Sequence, residues 1–160
     1  ILCLQMPAVQ TRIISGLTDS LNEKLGGEFG HHDMAHFLDV ARGGMIINLT
    51  ENYGISKELI YGAALLHDVG RDVQYLEGTP HDVASVEIAK DVLSRTEYTF
   101  EEQNAILEAI GNHRKADIRQ EKSLSGLIYR ADKESRPCYF CKAFEECNWK
   151  SDKKNTELVW

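Results

Sequence analysis

Long apolar runs are absent from this 160-residue chain, and no stretch approaches the about 20 residues that cross a bilayer as a helix. An excess of positive charge is absent too. With 18 Lys and Arg against 25 Asp and Glu, the net charge is -7 and the pI is near 5.4. A long nucleic acid needs a basic footprint, so the balance argues against that partner but leaves room for a small phosphate held by a few local cations. Proline is scarce: Pro7, Pro80 and Pro137 are the three, and each fits an element boundary. Cysteine is scarce as well. Four residues, three of them late in the chain, suit a reduced cytoplasmic protein better than a disulfide framework. The opening Ile1-Leu2-Cys3-Leu4 lacks the basic flank of a signal peptide, and the missing initiator Met leaves the native start open.

What is present is helical periodicity. No convincing alternating strand, repeat or linker occurs, and 42% hydrophobic content over this length suffices for one core. The expected architecture is a single all-α domain, 1–160, built as a bundle of about six helices. A first helix spans about Val9 to Leu25, with Ile13, Ile14, Leu17, Leu21 and Leu25 at helical spacing. A second carries His32, His36 and Val40 on one face and runs to about Leu49 through Gly43-Gly44, which admit close approach of a neighbouring helix. Ser56 caps the next helix, with Glu58 in its first turn. Thr79 is expected to cap a helix with Pro80 first and Asp82 third, which puts His81 in its first turn. Thr99-Phe100-Glu101-Glu102 is a capping box for a helix that ends near His113, and another runs from Ser123 to Lys133.

The segment Leu59 to Leu66 is apolar on every side and leads straight into His67-Asp68-Val69-Gly70. Such a helix is buried. A buried carboxylate loses its hydration and is costly unless a cation or donors meet it. Neutral imidazole beside ionised carboxylate suits a divalent transition metal or a Mn- or Mg-type ion. Adjacent helix residues diverge by about 100°, so both can reach one ion lying between them. Gly70 is expected to end this helix, with a loop following to Gly78. His67 and His113 both finish apolar stripes: Ile60, Ala63 and Ala64 precede the first, Ile106 and Ile110 the second. Asp132 projects from the stripe of Leu124, Leu127, Ile128 and Ala131 and also needs a cation. Each residue has a plainer alternative. His36 and His113 could be satisfied core histidines, His31 and His81 solvated ones, His67-Asp68 a frayed helix end, and Asp132 one half of an arginine salt bridge.

In this order, His36, His67-Asp68, His81, His113 and Asp132 resemble the ligand residues of the HD-domain metal-dependent phosphohydrolases. Three strings carry the resemblance: His36-Phe37-Leu38-Asp39-Val40-Ala41, Ala63-Ala64-Leu65-Leu66-His67-Asp68-Val69-Gly70, and Arg130-Ala131-Asp132-Lys133. It covers about residues 31–136 and leaves 137–160 as an extension. The resemblance implies an HD-type helical bundle with a metal held by His36, His67, Asp68 and Asp132. His81 and His113 match the places where members with two metals hold the second. One or two divalent ions (Mn, Fe, Co, Ni, Mg or Zn) are thus implied. The implied activity is hydrolysis of a small phosphoester or nucleotide by water that the metal acidifies. Asp68 and Arg71 are the expected catalytic residues. Arg71, Arg114 and Lys133, with Lys115 beside them, are the candidates for holding the phosphate.

The chain also departs from relatives. Nothing after His113 resembles the Gly-Tyr-Pro signature of the cyclic dinucleotide phosphodiesterases, which argues against that substrate. Some nucleotidase members carry a Glu helper base three residues after the HD Asp; here Arg71 stands there. That leaves the metal's own water, or Asp68, as the source of base action. A di-iron oxygenase of the same fold family is an alternative. Another comes from Cys138, Cys141 and Cys147, whose Cys-x2-Cys-x5-Cys spacing would hold zinc or an iron-sulfur cluster with one ligand short. Such a protein would be a sensing module and not an enzyme. Reduced thiols beside Phe140 and Trp149 are the ordinary alternative, and the stretch resembles the end of some uncharacterised HD proteins from anaerobic bacteria. The tail Leu158-Val159-Trp160 is expected to dock on the body or on a second copy, and nothing in the sequence fixes the oligomeric state.

Overall fold

The computed structural model describes residues 16–17 and 34–160, so the expected first helix and His31 and His32 lie outside the described residues, Gly16 and Leu17 excepted. Between residues 34 and 160 six α-helices follow one another: α1 (Met34–Thr50), α2 (Lys57–Leu66), α3 (Arg71–Glu77), α4 (His81–Leu93), α5 (Phe100–Asn112) and α6 (Leu124–Glu134). Three 3-10 turns, Ala116–Gln120, Cys138–Phe140 and Ser151–Lys153, complete the order, and no strand occurs among the described residues. None of these helices is long and apolar enough to cross a membrane. The fold is the expected all-α bundle.

Local chemistry sets most boundaries. Ser56 accepts a hydrogen bond from Leu59 N–H at the start of α2, and Ser123 accepts one from Gly126 N–H at the start of α6. The capping box of α5 is complete: Thr99 Oγ1 accepts from Glu102 N–H, and Glu102 accepts from Thr99 N–H at 2.8 Å. Gly44 lies under Ile60 of α2 and Leu127 of α6, so the paired glycines of α1 do admit neighbours closely. The tail docks on the body: Trp160 covers Gly43 and packs against the core, while Leu158 and Val159 stay exposed. Asn155 ties the extension to α6, its amide donating to the carbonyls of Lys133 (2.8 Å), Glu134 (3.3 Å) and Arg136 (2.8 Å).

Three expectations are corrected. The central helix stops at Leu66, not at Gly70, with His67 as its C-cap. Gly70 instead opens α3, at φ -88°, so a left-handed conformation is not what it supplies. A Cβ there would overlap the backbone of Ala84 and Ser85 in α4, and only glycine lets the two segments meet. The expected loop between Gly70 and Gly78 is a seven-residue helix, closed by Gly78 at φ 77° with its N–H bonded to Gln74 O. Thr79 does not cap α4. Pro80 takes the N-cap position without a side-chain bond, and Gln74 Oε1 accepts from His81 N–H at 3.1 Å in its place.

The core is made by the predicted stripes. Ile60, Ala63 and Ala64 of α2, Ile106 and Ile110 of α5, and Leu127, Ile128 and Ala131 of α6 are all fully buried. Helix α1 packs on α2 and α6, α5 packs on α2, α4 and α6, and α3 packs on α4. The C-terminal ends of α2 and α5, the N-terminal end of α4 and the C-terminal half of α6 thereby meet near the start of α1.

Candidate metal centre

At that meeting point six titratable groups converge with little exposure. His67, Asp68, His113 and Asp132 are buried, and His36 and His81 are mostly covered. The six side chains fall into two groups whose ligand atoms lie within 4.8 Å of one another: His36, His67 and Asp132, and Asp68, His81 and His113. His36 Nε2 stands 3.1 Å and His67 Nε2 3.6 Å from Asp132 Oδ1. His81 Nε2 and His113 Nε2 each stand 3.4 Å from Asp68 Oδ1. Asp68 Oδ2 lies 3.7 Å from His67 Nε2, which links the two groups. Asp68 thus stands with His81 and His113 through Oδ1, while Oδ2 faces the first set.

Three imidazoles are oriented by their far nitrogen. His67 Nδ1 lies 2.7 Å from Ala64 O and His113 Nδ1 lies 2.6 Å from Ile110 O. His81 Nδ1 lies 2.5 Å from Gln74 Oε1. A carbonyl oxygen only accepts, so each Nδ1 carries the proton and each Nε2 keeps its lone pair for the site. His67 Nε2 and Asp68 Oδ1 have no hydrogen-bond partner although both are buried. Orphaned buried acceptors are rare in folded proteins. Imidazole nitrogens and carboxylate oxygens are the donor set of a divalent transition metal, and these residues fit one.

The electrostatics agree. Burial pushes the Asp132 carboxyl up, but His36, His67 and Lys133 hold it well below the usual carboxylate range. Burial likewise pushes Asp68 up, and the imidazoles of His113 and His67 with the Arg71 guanidinium more than reverse this. Both stay ionised. Burial lowers the pKa of His36 and of His81, which keeps them neutral as ligands must be. Burial also pushes His67 down, but Asp132 and Asp68 outweigh it and its pKa rises.

Cations line the same site. Arg71 lies 2.9 Å from Asp68 Oδ2, and Lys133 Nζ 2.6 Å from Asp132 Oδ2. Arg136 spans both carboxylates, 3.0 Å from Asp132 Oδ1 and 3.8 Å from Asp68 Oδ2. Arg136 and Gln74 were not singled out from the sequence. The position of Arg136 four residues after Asp132, just past the end of α6, is the one signal in the sequence for it. Arg114 is turned to Asp82 at 3.2 Å and Lys115 to Asn112 at 2.7 Å, so neither touches the two carboxylates. Cys138 is half-buried and Cys141 and Cys147 are exposed; all three are free thiols, and they form no converging group of ligands among the described residues.

Comparison with known proteins agrees with this geometry. The model of the HD domain family matches residues 34–136. A protein of Clostridium beijerinckii (strain ATCC 51743 / NCIMB 8052), described as an uncharacterized protein, is 44% identical over 133 residues, which are 83% of this chain and 83% of its own. No solved structure matches the chain. The helical bundle and the family match over residues 34–136 have one meaning: the chain belongs to the HD domain family.

Proposed function

We propose that the protein is a metal-dependent phosphohydrolase that cleaves a small phosphoester by attack of water at phosphorus. One observation carries this reading. Among the described residues five buried side-chain polar atoms lack a hydrogen-bond partner, and four belong to this site: His67 Nε2, Asp68 Oδ1, Arg71 Nε and Arg136 Nε. The first two are lone pairs suited to a cation. The last two are N–H donors suited to an anion. A site prepared for both at once suits a metal ion and a phosphoryl group together.

When bound, a divalent metal would supply a water of lowered pKa and positive charge next to the phosphoryl oxygens. His36, His67, Asp132, Asp68, His81 and His113 would hold one or two such ions. Arg71 and Arg136 would grip the phosphoryl oxygens, and Lys133 would add a third positive charge. Three cations against two carboxylates make the protein's own share of the site positive, which favours a dianionic ester. The Asp68 carboxyl is held so low that it is a weak base. Its role in this reading is to hold the metal and orient water, and the water's own lowered pKa replaces the absent helper Glu.

The test is a phosphoester panel with Mn, Co, Ni, Fe, Zn or Mg, alongside elemental analysis. Activity that requires a metal, and loss of both activity and metal content in Asp68→Ala, are the expected results. Full activity in that variant would overturn the assignment. Iron in the isolated protein, with oxygen uptake on a candidate substrate and no ester cleavage, would instead establish the oxygenase alternative.

A further inference from the structure

A cavity of about 480 Å³ opens beside the metal centre, within the size range of small-molecule sites. Its lining includes Arg114, Arg119, Lys133, Trp149, Lys153 and Asn155. Four of these are cations, against only Glu134 and Asp152 in the same lining, although acidic residues outnumber basic ones 25 to 18 in the chain. Concentration of positive charge in one concave place, against the overall balance, marks a local field for an anion. Arg114 is paired with Asp82 at 3.2 Å and Lys133 with Asp132 at 2.6 Å, but neither acid belongs to the lining, and Glu134 is itself engaged by Arg130 Nε at 3.2 Å and by Arg119 at 3.6 Å. Lys153 is exposed and has no ion pair among the described residues.

Lys133 joins this cavity to the metal centre. Its ammonium touches Asp132 Oδ2 while lying over the Tyr129 ring at 5.6 Å and the Trp149 ring at 5.9 Å. Trp149 and Lys153 belong to the extension beyond residue 136, outside the family match, and the Asn155 amide fixes that extension to α6. We propose that the extension and α6 form a second anion site. The preferred substrate is then a phosphoester whose leaving group carries a further anionic group, phosphate or carboxylate. This rests on the phosphohydrolase reading for its reaction, but not for its binding.

The test uses three probes on one four-carbon chain: butane-1,4-diol monophosphate, its bisphosphate, and 4-phosphooxybutanoate. The protein is loaded with Mn. At least a tenfold higher kcat/KM for a doubly charged probe than for the monophosphate is expected, and which one leads tells phosphate from carboxylate. In the doubly substituted Arg119→Ala, Lys153→Ala protein, both sites being exposed, that ratio should fall to about twofold or less. Equal kcat/KM for all three probes, or an unchanged ratio in the variant, overturns the proposal. Binding is read separately from Trp149 fluorescence in a Trp160→Phe background. If no probe is hydrolysed but the doubly charged ones bind at least tenfold more tightly, and the double variant loses this, the anion site stands while the hydrolase reading falls. Equal affinities remove the anion site.

Discussion

His67 and His113 are held by one device used twice. Each follows the last residue of a helix, and each donates Nδ1–H to the carbonyl three residues back, Ala64 O at 2.7 Å and Ile110 O at 2.6 Å. That bond fixes the tautomer and aims Nε2 inward. The two rings stand edge to face with centroids 5.3 Å apart, one in each candidate ligand group. If the groups hold separate ions, His67→Ala and His113→Ala should each lower bound metal by about one ion per chain without abolishing the other. Elemental analysis after gel filtration reads this. Loss of all metal in both variants would mean a single shared ion.

Gln74 is the second prediction. Its Oε1 accepts from both His81 Nδ1–H and His81 N–H, so one amide orients a candidate ligand and caps the helix that carries it. Removing such a support commonly costs about 10–100-fold in metal affinity. Gln74→Ala should weaken metal binding by that order. Gln74→Glu, which keeps the acceptor, should recover most of it. Competition against a chromophoric chelator measures both. Equal affinity in the alanine variant would show that packing alone places His81.

Residues that read clearly from the sequence are those whose role is local. Stripes at helical spacing placed Ile60, Ile106 and Ile128 in the core, and the same phase turned His67, His113 and Asp132 inward. The Thr99 capping box depends on four neighbouring residues and was complete as expected. What was not legible depends on distant partners. Gln74 sits on an exposed seven-residue helix with no apolar stripe, and its importance arises because α4 starts beside it. Gly70 looked like a helix terminator because glycine often is one. Its actual constraint, the backbone of Ser85, lies 15 residues away. The role of Asn155 on α6 is likewise invisible until the extension folds back.

The Gly70 contact makes a third prediction. Gly70 N–H donates to Ser85 Oγ at 2.9 Å, and an added Cβ would overlap α4 backbone that cannot move as a side chain can. Overpacking of this kind costs about 1–3 kcal/mol. Gly70→Ala should lower stability by that amount in urea unfolding. It should also weaken metal binding, because the displaced segment carries His81. Gly111→Ala, whose new carbon would meet Val86 at an ordinary 3.7 Å, is the control. Equal stability for the two variants would show that α4 yields freely.

Glu51 and Arg130 give the pH dependence. Arg130 grips Glu51 with two hydrogen bonds, 2.7 and 2.9 Å, and so ties the end of α1 to the helix that bears Asp132. The Arg130 guanidinium lowers the Glu51 pKa below its ordinary value. A carboxyl whose pKa is lower in the folded chain binds protons less readily there than in the unfolded one. Its contribution is therefore complete above the unfolded pKa, near 4.5, and disappears as pH falls through the folded value. Because Glu51 is well exposed, solvent and salt screening make the contribution small. Glu51→Gln should lower Tm by a few degrees at most at pH 7. The gap from the unsubstituted protein should hold down to about pH 5 and close on further acidification. Tm measured in parallel across that range checks the sign: a gap that widens on acidification would mean that Arg130 does not stabilise the ionised carboxylate.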